Sequence, residues 1–129
     1  MEITKTNFGD LAKERIEELH AKNFKFERKE LTTSQIRGIL DLVNKVYNRV
    51  ATDSEEKLSS DVLSDLAYIK VKIAYSSGRS SVVKNFITHT NFTENLSDVL
   101  KSESKTNFLL FARYVESLVA YFKFYGGKN

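Results

Sequence analysis

Apolar residues recur at three- and four-residue intervals for most of this chain, the spacing that gathers one face of an α-helix. Phe8, Leu11, Ala12, Ile16 and Leu19 predict a first helix from Phe8 to about Asn23, with Asn7 or Asp10 available as its cap. KNFKFERKE at 22–30 is charged and alternating, and reads as a connector or a short helix end. Thr32 and Gln35 then stand at capping-box spacing, where each side chain satisfies a backbone N–H of the other. Behind them Ile36, Ile39, Leu40, Val43, Tyr47 and Val50 form one apolar stripe. Arg37, Asp41, Asn44 and Asn48 lie on the other side, flanked by Lys45 and Arg49.

The polar segment TDSEEKLSS at 52–60 supplies capping serines for a third helix, from about Ser60 to Ser77. If flexible, this connection would permit helix-swapped dimers. Val62, Leu63, Leu66, Ile69, Ile73 and Ala74 cover more than one face, so the third helix is expected to be the most buried, with Gly78 as its left-handed cap. Val82, Val83, Phe86 and Ile87 predict a short helix from about Ser80 to Thr88. Phe92, Leu96, Val99 and Leu100 predict another, ending at the polar break KSESK. The last helix runs from about Thr106 to Tyr125 on an unbroken stripe from Phe108 to Phe122, and Gly126 and Gly127 stop it. The expected fold is all-α, a compact bundle of five to six helices, in a single domain over residues 1–129.

Composition supports this reading and removes several function classes. The chain has no proline and only five glycines, as suits long helices. It has no cysteine, which excludes disulfides and thiolate zinc sites and fits a reducing cytoplasm. No apolar run approaches the roughly 20 residues that span a bilayer, and MEITKTNFGD lacks the pattern of a signal peptide, so no membrane partner is expected. The two histidines, His20 and His89, stand in no ligand or triad motif. The pairs Glu17/Glu18 and Glu55/Glu56 cannot converge on one atom, because adjacent helical residues point about 100° apart. Neither an enzyme nor a cofactor or metal site is expected.

Charge is where the chain departs from the ordinary. The formal net charge is only +3, yet residues 53–65 hold five acids and one base, while 66–93 hold four bases and no acid. Within LAYIKVKIAYSSGR, helical phase aligns Tyr68, Lys72, Tyr75 and Ser76 on one stripe that Arg79 continues, and Lys70 opens on another side. Lys84 follows on the next helix, and Arg37, Lys45 and Arg49 of the second helix extend the basic set. Such groups displace counterions from a nucleic-acid backbone, and tyrosines stack or hydrogen-bond. A solvated basic face over core tyrosines explains composition and spacing equally well, and Asp41, four residues from both Arg37 and Lys45, offers intrahelical pairs instead. YFKFYGGKN at the C-terminus offers further aromatics, of which Phe122 falls on the core stripe.

Three segments together resemble the small subunit of type III-A CRISPR effector complexes, the Csm interference complex. They are LTTSQIRGILDLVNKVYN at 31–48, LAYIKVKIAYSSGRSSVVKNF at 66–86 and FARYVESLVAYFKFYGGKN at 111–129. The resemblance implies a helical subunit without chemistry of its own. Several copies stack beside the guide-holding backbone subunits and the large subunit, lining the channel where target RNA pairs with the guide RNA. By position it implies RNA contact at Arg37, Lys70, Lys72 and Arg79; charge and helical phase add Lys45, Arg49 and Lys84. The rival is a helical adaptor whose acidic and basic regions dock neighbouring subunits head to tail without touching RNA.

Overall fold

A computed structural model of the chain describes residues 1–128, so Asn129, the end of the third resembling segment, lies outside the described residues. The described residues form an all-α bundle of six helices with one small hairpin. The elements are α1 (Phe8–His20), β1 (Lys25–Phe26), β2 (Lys29–Glu30), α2 (Thr33–Val50), α3 (Ser60–Arg79), α4 (Ser81–His89), α5 (Phe92–Ser102) and α6 (Lys105–Phe124).

The long stripe of α6 makes it the axis of the bundle. It buries Phe108, Leu110, Phe111, Ala112, Tyr114, Val115, Leu118, Val119 and Phe122, and packs against α1, α2 and α5. Burying a Phe or Leu side chain stabilises by about 1.5–3 kcal/mol, so this helix carries much of the core. Phe92 meets Phe111 edge-on at 5.2 Å, and Phe24 meets Phe122 at 4.7 Å. Side-chain caps hold four helix starts: Thr32 with Gln35 forms a full capping box at α2, and Ser59, Ser80 and Ser104 accept from the backbone N–H of Val62, Val83 and Asn107.

Four sequence expectations are corrected or decided. First, α3 is not the most buried helix. Only Val62, Leu66, Ile69 and Ile73 are buried on it, a single stripe, and Ala74 is exposed. Second, Gly78 is no left-handed cap, because the helix runs through it to Arg79. Its C-cap, Ser80, is extended and serves at once as N-cap of α4. Third, residues 22–30 are the connector, not the helix end, of the two readings. α1 stops at His20, and the chain turns into an antiparallel hairpin pairing Lys25 with Glu30 and Phe26 with Lys29. Glu27 and Arg28 both take positive φ (52° and 70°), the backbone that a tight two-residue hairpin requires. Fourth, Asn7 stands at the N-cap of α1 but its side chain does not cap the helix: it accepts from the Thr4 N–H and donates to the Glu2 carbonyl.

The 52–60 connection is also tied down. The Leu58 N–H donates to the Glu103 carbonyl at 2.8 Å, and the Lys105 N–H to the Glu56 carbonyl at 2.7 Å. At the other end, Gly126 takes φ 87° and the tail folds back, so that the Lys128 carbonyl accepts from both the N–H and the hydroxyl of Thr33.

Candidate nucleic-acid interface

α3 divides its surface between two duties. One face is the buried stripe. Nearly half a turn away, Tyr68, Val71 and Tyr75 are 59%, 60% and 62% exposed, unusual for side chains of this size. Each tyrosine sits under a cation one turn later: the Lys72 Nζ lies 5.0 Å from the Tyr68 ring centroid and the Arg79 Cζ 5.5 Å from that of Tyr75. No carboxylate pairs with Lys72 or Arg79 among the described residues. Their positive charge is held in place by aromatic faces and left open to an anion.

Beside this face runs an open groove of about 830 Å³ between α2 and α3. Ser34, Gln35 and Gly38 form its α2 wall; Tyr68, Lys72, Tyr75 and Arg79 form its α3 wall. Small residues four apart on α2 keep that wall low. A second hollow of about 320 Å³ continues it, sharing Leu42, Tyr68 and Lys72, and adding Lys45 and Arg49.

Of the seven basic residues singled out from sequence, the structure therefore gathers four, Lys45, Arg49, Lys72 and Arg79, along one connected groove. Arg49 does so in an ion pair with Asp65 across from α3, both about half exposed, so its charge is already partly answered. Lys70 is half-buried on another side of α3, and Arg37 and Lys84 are exposed but line neither hollow. Sequence reasoning missed Ser34, Gly38 and Val71. The signal for the first two was the i, i+4 repeat of small residues opposite the apolar stripe of α2.

The remaining polar clusters have structural duties. Arg15 of α1 donates to both carboxylate oxygens of Glu2 (2.6 and 2.7 Å), to the Thr90 carbonyl and to the Tyr114 hydroxyl. Asn91 and Asn95 donate to the same carboxylate. Hydrogen bonding from Arg15 lowers the Glu2 carboxyl to about 2, against the effect of its burial, and the Glu2 carboxylate raises Arg15 in turn. Burial pushes the Tyr114 hydroxyl up to about 12. His89 meets Glu18 at 3.0 Å, while His20 stacks on Tyr125, whose hydroxyl donates to Glu17. The adjacent acids Glu17 and Glu18 thus serve separate partners. No group of three or more His, Asp or Glu side chains suited to a metal ion occurs among the described residues, and no helix there is long and apolar enough to cross a membrane.

Comparison with known proteins covers nearly the whole chain. A family model described as Csm2 Type III-A covers residues 11–128, a span that includes the 52–60 connection as well as the three resembling segments. A protein of Enterococcus italicus named "CRISPR system Cms protein Csm2" is 40% identical over 97% of this chain and 97% of its own. The protein of that name from Streptococcus thermophilus is 40% identical over 77% of this chain and 76% of its own. That from Mycobacterium tuberculosis (strain CDC 1551 / Oshkosh) is 31% identical over 78% and 79%. With the family model reaching from α1 to the folded-back tail and relatives at this identity, the chain belongs to the Csm2 Type III-A family.

Proposed function

We propose that this chain is a non-catalytic small subunit of a cytoplasmic type III-A CRISPR interference complex. It lines the channel that holds target RNA against the guide RNA and grips the RNA backbone without reading its sequence. The observation that carries the reading is the pair of cation–aromatic couples on α3, Tyr68 with Lys72 and Tyr75 with Arg79. They face an open groove and no carboxylate neutralises them. Guide pairing supplies sequence specificity in such systems, so the protein needs only phosphate and shape contacts. A net charge of +3 suits a subunit that binds weakly alone and gains from repetition along the guide-holding backbone. Lys70, Arg37 and Lys84, off the groove, are available to a second stretch of the guide–target duplex, to the large subunit or to further copies of the chain.

The test is replacement of Lys70, Lys72 and Arg79 by glutamine in an assembled complex, with helix content monitored by circular dichroism. Target-RNA retention is expected to fall, and the log–log salt slope to drop by about 0.7–1 for each phosphate no longer neutralised. Unchanged retention with unchanged slope would remove these residues from the RNA site. The acids Asp61 and Asp65 on the same helix favour one alternative, a subunit-docking adaptor that does not touch RNA. Crosslinking discriminates: RNA adducts at Lys72 support the first reading, and protein adducts alone support the second.

A further inference from the structure

At the end of α6 a row of aromatic rings leads out of the core. Phe122 is buried and meets Phe24 at 4.7 Å, and Phe24 meets His20 at 5.3 Å. His20 stacks on Tyr125 at 5.2 Å, and Phe124 stands edge-on to Tyr125 at 5.0 Å. Tyr121 also meets Phe124 edge-on, at 6.4 Å. The row ends at Phe124, which at 74% exposure is the most open large apolar side chain among the described residues. Its surroundings are fixed. The Tyr125 hydroxyl donates to Glu17 at 2.9 Å. Gly127 lies so close to the Phe122 ring that a Cβ there would stand 2.1 Å from it. The folded-back tail is therefore set in place, and with it Lys128, whose carbonyl is held by Thr33.

Beside this row lies a hollow of about 280 Å³, whose lining includes His20, Tyr125, Lys25 and Lys128. That is near the lower bound of about 300 Å³ for small-molecule sites, room for one nucleotide unit. Neither lysine is in an ion pair among the described residues. Glu30 is the one acid on the hollow, and it is the cross-strand neighbour of Lys25, so Lys128 holds the less compensated charge. An open ring beside uncompensated cations suits an unpaired base, which stacks on the ring while an ammonium answers its phosphate. The face of α3 differs, because Lys72 and Arg79 already lie over the Tyr68 and Tyr75 rings. The hollow also adjoins the α2–α3 groove. Ser34 on the groove wall follows Thr33, which binds the Lys128 carbonyl. A strand leaving the groove over the start of α2 next meets Lys128.

We propose that this hollow and Phe124 form a second RNA contact, one that takes a single unpaired nucleotide, with its base on the aromatic row and its phosphate on Lys128 and Lys25. That the ligand is RNA rests on the reading of the α3 groove; the residues involved and the preference for an unpaired strand do not. Every base has a π-face, so the contact tolerates any sequence.

The full chain tests it, titrated at low salt with a mixed-sequence single-stranded RNA and with the same strand in a blunt duplex. Phe124→Ser, at an exposed site, is expected to weaken single-strand binding about tenfold and to leave duplex binding unchanged. The salt slope should stay as it was, because no charge is lost. Phe124→Leu keeps the apolar volume without the π-face and should lose as much, whereas Phe124→Trp should bind at least as well as wild type. That last variant puts one indole into a chain that has no tryptophan, and single strand but not duplex should quench its emission. Lys128→Gln should lower the single-strand salt slope by about 0.7 and cost more affinity than Lys25→Gln. Single-strand binding that is unchanged in Phe124→Ser, or that falls equally with duplex binding, would overturn the proposal. So would a Phe124→Ser chain that binds RNA normally but enters the assembled complex poorly, the mark of a protein-docking surface. Exchanging Lys72 and Arg79 for glutamine separates this inference from the reading it rests on. If those changes weaken both RNAs while the hollow variants weaken neither, only this inference falls. If neither set of changes affects RNA binding, both fall.

Discussion

Glu2 is exposed to solvent along part of its length, yet it ties two elements together. Its carboxylate receives Arg15 from α1 together with Asn91 and Asn95 at the start of α5. In the folded chain the group titrates at about 2, against 4.5 for the free side chain. A folded value below the unfolded one means the stabilisation is fully present above about pH 4.5 and disappears as pH falls through about 2. Glu2→Gln leaves the Arg15 guanidinium, only 12% exposed, without its anion. Thermal melts at pH 7 should show a loss of about 1–2 kcal/mol, and the difference from wild type should shrink as pH approaches 2. Equal destabilisation at both pH values would assign Glu2 a purely steric role. None of this node was legible in the sequence. Glu2, Arg15, Asn95 and Tyr114 are separated by up to 112 positions, and each passes for an ordinary surface or core residue in its own segment.

At the scale of elements, helices with strong periodicity and side-chain caps were readable to within a few residues, because local patterning and tertiary burial agree there. The capping box at Thr32 and the stripe of α6 are the clearest cases. The failures have separate causes. The hairpin at 25–30 was hidden because Glu27 and Arg28 fill a turn that ordinarily selects Asn-Gly, and two-residue strands carry no period. Replacing Glu27 and Arg28 with Asn and Gly should relieve that backbone and stabilise by about 0.5–1 kcal/mol, seen as a rise of a few degrees in Tm. No rise would mean that the positive-φ turn is not strained. α3 misled in the opposite direction. Leu63 and Ala74 beside the stripe suggest a helix buried on more than one face, yet Leu63 is only half-buried and Ala74 exposed, because no element packs over that side. The basic stripe itself was legible from helical phase. The division of its cations between the groove and other surfaces depended on where α2 lies.

For the molecule as a whole, the acidic connection between α2 and α3 acts more as a clasp than as a loose loop. Glu56 accepts from the Ser104 hydroxyl and from both the N–H and hydroxyl of Thr106, so it secures the start of α6 from a distance of about 50 residues in sequence. These hydrogen bonds hold its carboxyl below the usual range. Glu56→Ala should speed hydrogen exchange at the Leu58 and Lys105 amides, whose acceptors lie across this clasp, while leaving α1 and the centre of α6 protected. Uniformly faster exchange would instead indicate global destabilisation. With the connection anchored at both ends, exchange of helices between copies would first have to break these bonds. The outer face of α3 gives the chain an optical signature. There is no tryptophan, and the six tyrosines alone supply the near-ultraviolet emission. Two of them, Tyr68 and Tyr75, stand on the exposed face under Lys72 and Arg79, while Tyr114 is fully buried. Binding of the RNA proposed for this face can therefore be tested in unlabelled protein, with Tyr68→Phe and Tyr75→Phe identifying which part of the signal belongs to the face.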